Sequence, residues 1–309
     1  MRKLSELTGR CAELSAKNES QTKSIEALEV KIDDLDQKNE ALERLLDKPG
    51  LDLTQVRGEI DEAILGMQAA VSFQVPSNIH PEDHIFSFLR QHEKYRNDIE
   101  GAYRYYFSTG DESVEKLVAL KKQAGMQGTT SLLEFAAGYG CVTRHLKKRP
   151  EEFELVACDI HQQAVDFVAK ALNAKAVGSV TDPDAFQLDK KYGIVFALSF
   201  FSHMPKKTWG RWLAALFRTV DKGGCLIFTT HGLVSQAKMM PHAIVGESGF
   251  WFNENSEQAD LDTADYGSTI TTPKFVREEI AKLEGAVELA HHEAYWWTHQ
   301  DAWVVKKLG

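Results

Sequence analysis

The stretch Leu132-Leu133-Glu134-Phe135-Ala136-Ala137-Gly138-Tyr139-Gly140 decides how this chain folds. Apolar residues that end in an acid predict a buried strand, and the small residues after it predict a tight turn into a helix near 141–148. Small side chains let backbone amides come close to a ligand, and a helix N-terminus adds N–H groups without helical partners. The stretch therefore predicts a site for a nucleotide or nucleoside cofactor.

Composition and charge limit the kind of protein that this sequence encodes. Of its 309 residues, 43% are hydrophobic and 26% are charged, which is typical of a soluble globular protein. The net charge of -9 argues against binding to a nucleic-acid backbone. There is no apolar run of membrane-spanning length and no signal-peptide core, and the four cysteines are scattered. We therefore expect a cytoplasmic protein with no membrane span and no nucleic-acid partner.

Residues 1–47 carry a heptad repeat that ends at Pro49-Gly50. Ten of its thirteen a and d positions are apolar, and the register does not break. These apolar positions are Leu4, Leu7, Cys11, Leu14, Ile25, Leu28, Ile32, Leu35, Leu42 and Leu46. Isoleucine at a with leucine at d favours a parallel two-stranded coiled coil. A single amphipathic helix folded back on the protein is the alternative.

Helices fill the region between this repeat and the decisive stretch. We predict helices from Leu53 to Gln68, from Asp83 to Phe107 and from Ser113 onward, with a break at 108–111 where a covering segment would hinge. The predicted organisation is a coiled coil at 1–47, a helical linker and cofactor-covering region at 48–110, and an α/β domain at 111–309.

Strands and helices alternate after residue 130. The predicted strands are 131–136, 153–159, 174–179, 192–199 and 223–230, and the helices between them lie near 141–148, 161–172 and 206–219. This alternation predicts a parallel, doubly wound sheet. A helix from Pro273 follows the long segment 232–270, which has the length of a lid. Two closing strands, near 286–294 and 301–307, lack a helix between them and so predict an antiparallel pair at the sheet edge.

The arrangement resembles the class I S-adenosylmethionine-dependent methyltransferases over residues 100–309. The first motif of that family is an acid followed by x-Gly-x-Gly-x-Gly, and here it stands as Glu134 to Gly140 with alanine as the first glycine. An acid, Asp159, closes the second strand, and the run 194–205 matches the fourth motif. The resemblance implies a Rossmann-like, seven-stranded α/β sheet with an N-terminal coiled-coil extension.

The resemblance also implies S-adenosyl-L-methionine as the cofactor. Glu134 would hold its methionine part, Asp159 would accept hydrogen bonds from the ribose hydroxyls, and Ile160 would lie against the adenine. The backbone N–H of Val180 would donate to the adenine. The implied cofactor-binding residues are Glu134, Ala136, Ala137, Gly138, Gly140, Asp159, Ile160, Val180 and Leu198.

Two other classes of protein stay open. A dinucleotide-binding dehydrogenase would need a third glycine at position 143, which is Thr143 here, although Asp159 suits both classes. Ala136 departs from the first motif, and Ser179 and Gly193 stand where the family usually has aspartate. These departures leave open a coiled-coil scaffold or interaction protein whose methyltransferase fold is not catalytic.

Histidines near the carboxyl ends of strands are candidates for a catalytic base. His231 ends the fifth strand and is the first choice, and His203, which follows the fourth strand, is the second. His299 lies in the closing hairpin. In the lid, Tyr266 and Trp251 are candidates for contact with the acceptor. Acids and histidines lack metal-ligand spacing, so we expect no metal.

The sequence as a whole predicts a methyltransferase that acts on an oxygen of a small molecule or glycan. Its predicted assembly is a homodimer joined by the N-terminal coiled coil. Because similar bacterial enzymes modify sugars, a polysaccharide-biosynthesis protein is a candidate partner for the coil.

Overall fold

The computed structural model describes residues 31–39, 53–128, 130–254 and 263–309. The chain divides into two units, 1–63 and 64–309. Of the predicted coiled coil, only residues 31–39 are described, and they are helical; the remainder of the repeat lies outside the described residues. Within the described ranges, no helix combines the length and the apolar character needed to cross a membrane.

Three helices precede the decisive stretch: α1 (Leu53–Phe73), α2 (His84–Gln91) and α3 (Ile99–Gln123). The side chain of Asp83 accepts a hydrogen bond from the Phe86 N–H and begins α2, and Asp98 does the same for α3. The predicted helix from Asp83 to Phe107 is therefore two helices, separated at residues 92–98.

The predicted break at residues 108–111 is wrong, because α3 runs through it without interruption. Gly110 is a packing position. A Cβ there would collide with the carbonyl oxygen of Cys141 and lie 2.7 Å from the ring of His145. The missing side chain lets α3 approach the turn that follows the first strand, so Gly110 is not a hinge. The domain boundary that was predicted between residues 110 and 111 falls inside this helix.

The α/β part contains nine described strands and five further helices. The strands are β1 (Thr130–Phe135), β2 (Phe153–Asp159), β3 (Lys175–Gly178), β4 (Tyr192–Ala197), β5 (Val220–His231), β6 (Phe250–Asn253), β7 (Ser268–Thr271), β8 (Ala286–Trp296) and β9 (Gln300–Lys307). The helices are α4 (Thr143–Leu146), α5 (Gln162–Ala171), α6 (Lys206–Thr219), α7 (Leu233–Met239) and α8 (Pro273–Ile280).

Seven strands form the central sheet in the order β3-β2-β1-β4-β5-β9-β8. The first five are parallel, whereas β9 is antiparallel to both β5 and β8. The predicted mixed α/β fold, with a seven-stranded sheet closed by an antiparallel pair, is confirmed. The strands β6 and β7 form a separate antiparallel pair.

Alternating side chains along the strands fill two apolar layers, as the two-residue period of a strand requires. Leu133 and Val195 face a layer that includes Trp209 of α6. Leu132 and Ile194 face the opposite layer, which includes Leu117 of α3 and which also holds Phe196, Ile227 and Val304. Burial on both faces fixes the register of the sheet and hence the level at which each strand ends.

The carboxyl ends of β1, β2, β4 and β5 lie at the same edge of the sheet, because these strands are parallel. This edge carries the turn after β1, Asp159 and His231. The predicted lid, 232–270, contains α7, β6 and β7. It is joined to the segment after β4, since the N–H of Gly267 donates to the His203 carbonyl and the N–H of Thr269 to the Ser202 carbonyl.

Candidate functional site

The turn after β1 uses left-handed backbone at three positions: Ala136 (φ 58°), Gly138 (φ 54°) and Gly140 (φ 80°). A Cβ on Gly140 would collide with Leu172 at the end of α5, so this glycine is needed for packing. A Cβ on Gly138 would meet no atom within 4 Å. The turn is therefore closed on the side of Gly140 and open on the side of Gly138, where a ligand can approach the backbone.

Glu134 places a buried carboxyl group beneath this turn. Its pKa is raised to about 8, mainly by burial and to a smaller extent by Asp159, while a hydrogen bond from the Thr143 hydroxyl at 2.7 Å acts in the opposite direction. A carboxyl group in this setting favours its charged form only when a cation lies beside it. Thr143 stands where a dehydrogenase would have its third glycine, and here its hydroxyl holds the Glu134 carboxyl group in place.

Asp159 ends β2 and already holds the turn. Its Oδ2 accepts from the N–H of Gly138 at 2.7 Å, and its Oδ1 accepts from both the backbone N–H and the ring Nδ1 of His161, each at 2.9 Å. Since a carboxylate has roughly four acceptor positions, one remains on Oδ2. The predicted pair of ribose bonds therefore requires the His161 ring to turn away from Oδ1.

Apolar surface continues along the same edge of the sheet. Ile160 after β2 is 38% exposed, Val180 after β3 is 39% exposed, and Leu198 after β4 is half-buried. Exposed aliphatic side chains of this kind suit the flat face of a base. The positions predicted for the adenine thus lie next to those predicted for the ribose.

A strap, residues 74–83, lies over the turn, within the region 48–110 that was predicted to cover the cofactor; its contacts were not predicted. The buried guanidinium of Arg144 donates to the carbonyls of Pro76 (2.6 Å), Asn78 (3.0 Å) and Gly140 (3.1 Å). The ring of His80 stacks on Tyr139 at 4.5 Å. The arginine that follows the glycine turn was the available signal, but the strap carbonyls that it binds lie more than 60 residues away in sequence.

The strap is also held by the start of α2. The hydroxyl of Tyr106 donates to Asp83 Oδ2 at 2.6 Å, so the acid that caps α2 is joined to α3. Burial raises the pKa of Asp83, while the Tyr106 bond acts against that shift. Tyr106 thus links α3 to the end of the strap.

A second group of side chains lies beyond β4 and β5. The ring of His231 is 6.2 Å from that of His203 and 5.8 Å from that of His299, measured between centroids. Tyr266 stacks on His203 at 4.5 Å. Trp251, by contrast, meets His242 edge to face at 5.9 Å and packs with the cluster around Ile270. The structure thus brings the three histidines and Tyr266 together, and it places Trp251 where it anchors the lid.

Hydrogen bonds to backbone carbonyls identify the tautomer that two of these rings adopt when neutral. The Nδ1 of His203 donates to the Gly267 carbonyl at 2.8 Å, and the Nδ1 of His299 donates to the Trp297 carbonyl at 2.8 Å. Each neutral ring therefore carries its basic lone pair on Nε2. Burial lowers the pKa of His299, and it lowers the pKa of His231 to about 3, with His203 and His299 adding to the shift on His231.

Gln300 is a site residue that the sequence did not reveal. It is buried, it faces His231 in the β5–β9 register, and its side chain bonds to Ser199, Thr229 and His231. A polar residue just before the apolar run Ala302 to Val305 was the only signal for it. Across the described ranges, no three or more histidine, cysteine or acidic residues are grouped so as to hold a metal ion.

Residues 133–226 match the family described as "Methyltransferase domain". The match begins in β1 and ends in β5, so it includes the turn, Asp159 and His203. A domain of this family takes its methyl group from S-adenosylmethionine, and the match thus confirms the predicted cofactor. None of the curated proteins matches the chain.

Solved structures with related folds share little sequence with this chain. An S-adenosylmethionine-dependent methyltransferase from Clostridium acetobutylicum ATCC 824 is 12% identical, with 72% of this chain and 97% of that chain covered and a TM-score of 0.48. The PH0226 protein from Pyrococcus horikoshii OT3 is 14% identical (74% and 100% covered, TM-score 0.48). The plantazolicin methyltransferase BamL is 16% identical (80% and 97% covered, TM-score 0.48). At these values, the neighbours carry no argument about the acceptor.

Proposed function

We propose that this protein is an S-adenosylmethionine-dependent methyltransferase that acts on an oxygen of a small molecule or glycan. The observation that carries the proposal is Glu134, a buried carboxyl group with a pKa of about 8 under a turn that is open at Gly138. The methionine ammonium would provide the cation that this acid lacks. Asp159 and the apolar edge at Ile160 and Val180 suit the ribose and the adenine.

The bound cofactor would supply a methyl group on a sulfonium that is already activated for displacement. The protein would then need to bind both partners, align them and remove a proton from the acceptor. Glu134 and Asp159 bind and orient, while the strap and the lid limit the access of water. The parallel strands direct both binding regions to one edge of the sheet.

We place His203 ahead of His231 as the base, which reverses the order predicted from sequence. The Nδ1–H of His203 is held by the Gly267 carbonyl, so its Nε2 carries the lone pair that takes up a proton. His231 is more buried, and a pKa of about 3 makes it a weak base. Tyr266 supports the His203 ring from one face.

Titration calorimetry of the full chain tests the cofactor. We expect saturable binding of S-adenosylmethionine and S-adenosylhomocysteine, and no binding of NAD. Glu134→Gln should weaken S-adenosylmethionine, whereas Glu154→Gln, on the exposed part of β2, should not. Binding of NAD in preference to S-adenosylmethionine would replace the proposal with a dehydrogenase.

Transfer of a labelled methyl group to a panel of sugars, hydroxy acids and alcohols tests the reaction itself. A scaffold protein would bind the cofactor and label no member of the panel. Of the three departures from the family, Gly193 does not favour that alternative. It is the second residue of β4, at the edge of the sheet away from the site, and a Cβ there would collide with Thr130. Incorporation of label, absent from His203→Gln, would support catalysis.

We also propose that residues 1–47 join two copies of the chain. Ile32 and Leu35, at a and d positions, are 55% and 57% exposed in the helical residues 31–39 of the single chain. Exposed apolar side chains at these positions are what a second helix would cover. Sedimentation should give a dimer, and Ile32→Glu with Leu35→Glu should give a monomer, unlike Asp33→Lys on the same helix.

A further inference from the structure

A chain of hydrogen bonds with a fixed direction runs from β4 to β9. The backbone N–H of Ser199 can only donate, and it donates to the hydroxyl oxygen of Thr229 at 2.8 Å. The Thr229 hydroxyl in turn donates its proton to Gln300 Oε1 at 2.7 Å. The Ser202 hydroxyl donates to the Ser199 carbonyl, so the Ser199 hydroxyl donates to Ser202 and accepts from Gln300. This places the amide nitrogen of Gln300 at Ser199 and its Oε1 at Thr229.

The amide nitrogen of Gln300 then faces two acceptors. It lies 2.9 Å from the hydroxyl oxygen of Ser199 and 3.2 Å from Nε2 of His231. Since an amide NH2 group only donates, Nε2 of His231 accepts, and the ring proton of His231 lies on Nδ1. Gln300, Thr229 and His231 are all at least nine-tenths buried, so solvent does not compete for these bonds.

The surroundings of His231 oppose a second ring proton. A proton on Nε2 would point at the Gln300 amide, so two donors would face each other. The titratable groups that face the ring are His203 after β4 and His299 in the β8–β9 turn, and Lys238 of α7 lies beyond His299. All of these are neutral or positive, in agreement with a pKa of about 3.

The Nδ1 atom of His231 is buried and makes no hydrogen bond to any residue that the structure describes. The Thr269 backbone acts on the ring as a hydrogen-bond acceptor and opposes the lowered pKa, but it does not meet Nδ1 with the distance and angle of a full hydrogen bond. A buried donor without a partner costs about 1–3 kcal/mol in general, so a ligand oxygen that accepted from Nδ1 would stabilise this site.

We propose that His231 is a fixed hydrogen-bond donor to the methyl acceptor, through Nδ1–H, and that Gln300 is the positioning residue that sets this tautomer. The inference rests on the proposed function. With His203 as the base, the acceptor would present a hydroxyl to His203 and a second, neighbouring oxygen to His231. The substrate class is therefore a diol or a hydroxy acid, and not a simple alcohol.

Nitrogen-15 NMR of the histidine-labelled full chain tests the tautomer without cofactor or acceptor. We expect His231 to show protonated Nδ1 and bare Nε2, and to stay neutral at pH 5. Gln300→Glu should raise the pKa of His231 by at least one unit, because a carboxylate accepts a proton from Nε2. His292, whose Nε2 bonds to Gln123 on the surface, is the internal control and should not change. Protonated Nε2 in the unaltered protein would overturn the proposal.

A pair of substitutions tests the oxygen contact with the labelled-methyl panel. His231→Asn keeps an N–H donor near the Nδ1 position, whereas His231→Leu removes it. We expect His231→Leu to raise KM for diols or hydroxy acids about five- to tenfold, as one lost hydrogen bond would, with His231→Asn within about twofold. The pH profile of kcat should not change in either variant, since His203 is the base.

Equal losses in the two variants, or equal labelling of simple alcohols and diols, would contradict the oxygen contact. No labelling at all, with the expected tautomer present, would count against the proposed function instead. The two failures are therefore distinguishable.

Discussion

The cofactor end and the acceptor end of this site are built in different ways. At the cofactor end, Glu134 and the turn to Gly140 lie in one short stretch, and Asp159 bonds directly to the backbone of that turn. At the acceptor end, His203, His231 and Gln300 come from three parts of the chain, which strand pairing and side-chain contacts bring together. One end is set by local backbone conformation and the other by long-range packing.

Because of this difference, the two ends differ in how many substitutions they tolerate. A turn with left-handed positions tolerates few substitutions, so the cofactor end keeps a motif that can be read from sequence. A set of side chains on several elements can be changed one at a time, which suits a region that selects among acceptors. Substitutions at the two ends should therefore affect different kinetic quantities.

The largest expected effect belongs to the acceptor end. We predict that His203→Gln lowers kcat by a factor of about 100 or more, the usual contribution of a general base. The dissociation constant for S-adenosylmethionine should change by less than twofold, because the contacts described for His203 are with Gly267, Tyr266 and His231. Steady-state kinetics with an acceptor from the panel, together with calorimetry, measures both. A loss of cofactor binding of the same size would mean that the two ends are not separate.

At the cofactor end, we predict that Glu134→Gln weakens S-adenosylmethionine binding about 10- to 100-fold, through loss of a charge-assisted hydrogen bond.

The folded, cofactor-free protein should hold a proton on Glu134 between pH 4.5 and its pKa of about 8, where the unfolded chain has released it. Stability should therefore fall as the pH rises through this window.

The same raised pKa predicts proton release on cofactor binding. At pH 7, pairing with an ammonium should displace nearly one proton from Glu134. Calorimetry in buffers of different ionisation enthalpy measures this number, and Glu134→Gln should reduce it to near zero. A wild-type value near zero would show that Glu134 is already ionised before the cofactor binds.

A smaller effect is expected where α3 meets the turn. Gly110→Ala should lower the free energy of unfolding by about 1–3 kcal/mol, because the added methyl group collides with the Cys141 carbonyl and the His145 ring. Gly58→Ala in α1, where a Cβ meets no atom within 4 Å, is the matched control and should stabilise by roughly 0.5–1 kcal/mol. Urea denaturation measures both; equal changes would argue against the close contact.

The smallest effect concerns the alanine that departs from the family motif. Ala136→Gly should increase stability by about 0.5–1 kcal/mol, since glycine adopts φ 58° without steric cost and Ala136 is exposed. Cofactor affinity should not fall. Thermal denaturation with and without S-adenosylmethionine measures both quantities, and a destabilised variant would show that the Ala136 methyl group contributes packing.

The features that sequence predicts well here are those decided over a few residues. The apolar strands, the turn and the acid at Asp159 follow from local pattern, and the closing pair follows from the absence of a helix between two strands. The break at Gly110 was wrong because a glycine in a helix can serve a distant contact, here with residues 141 and 145. The contacts of the strap and of Gln300 were missed because they are distant in sequence. Arg144 lies 66 and 68 residues from the strap carbonyls that it binds, and the partners of Gln300 lie 69 to 101 residues away.

The position of β9 has a consequence for the order in which the protein forms during synthesis. The strand β9 is translated after β8, yet it lies between β5 and β8, and β8 meets the sheet only through it. A nascent chain can therefore form the turn after β1 before β8 has a strand to pair with. Gln300 begins β9, so the tautomer of His231 is set by one of the last steps of assembly. The growing chain would hold a methyl donor before it can select an acceptor.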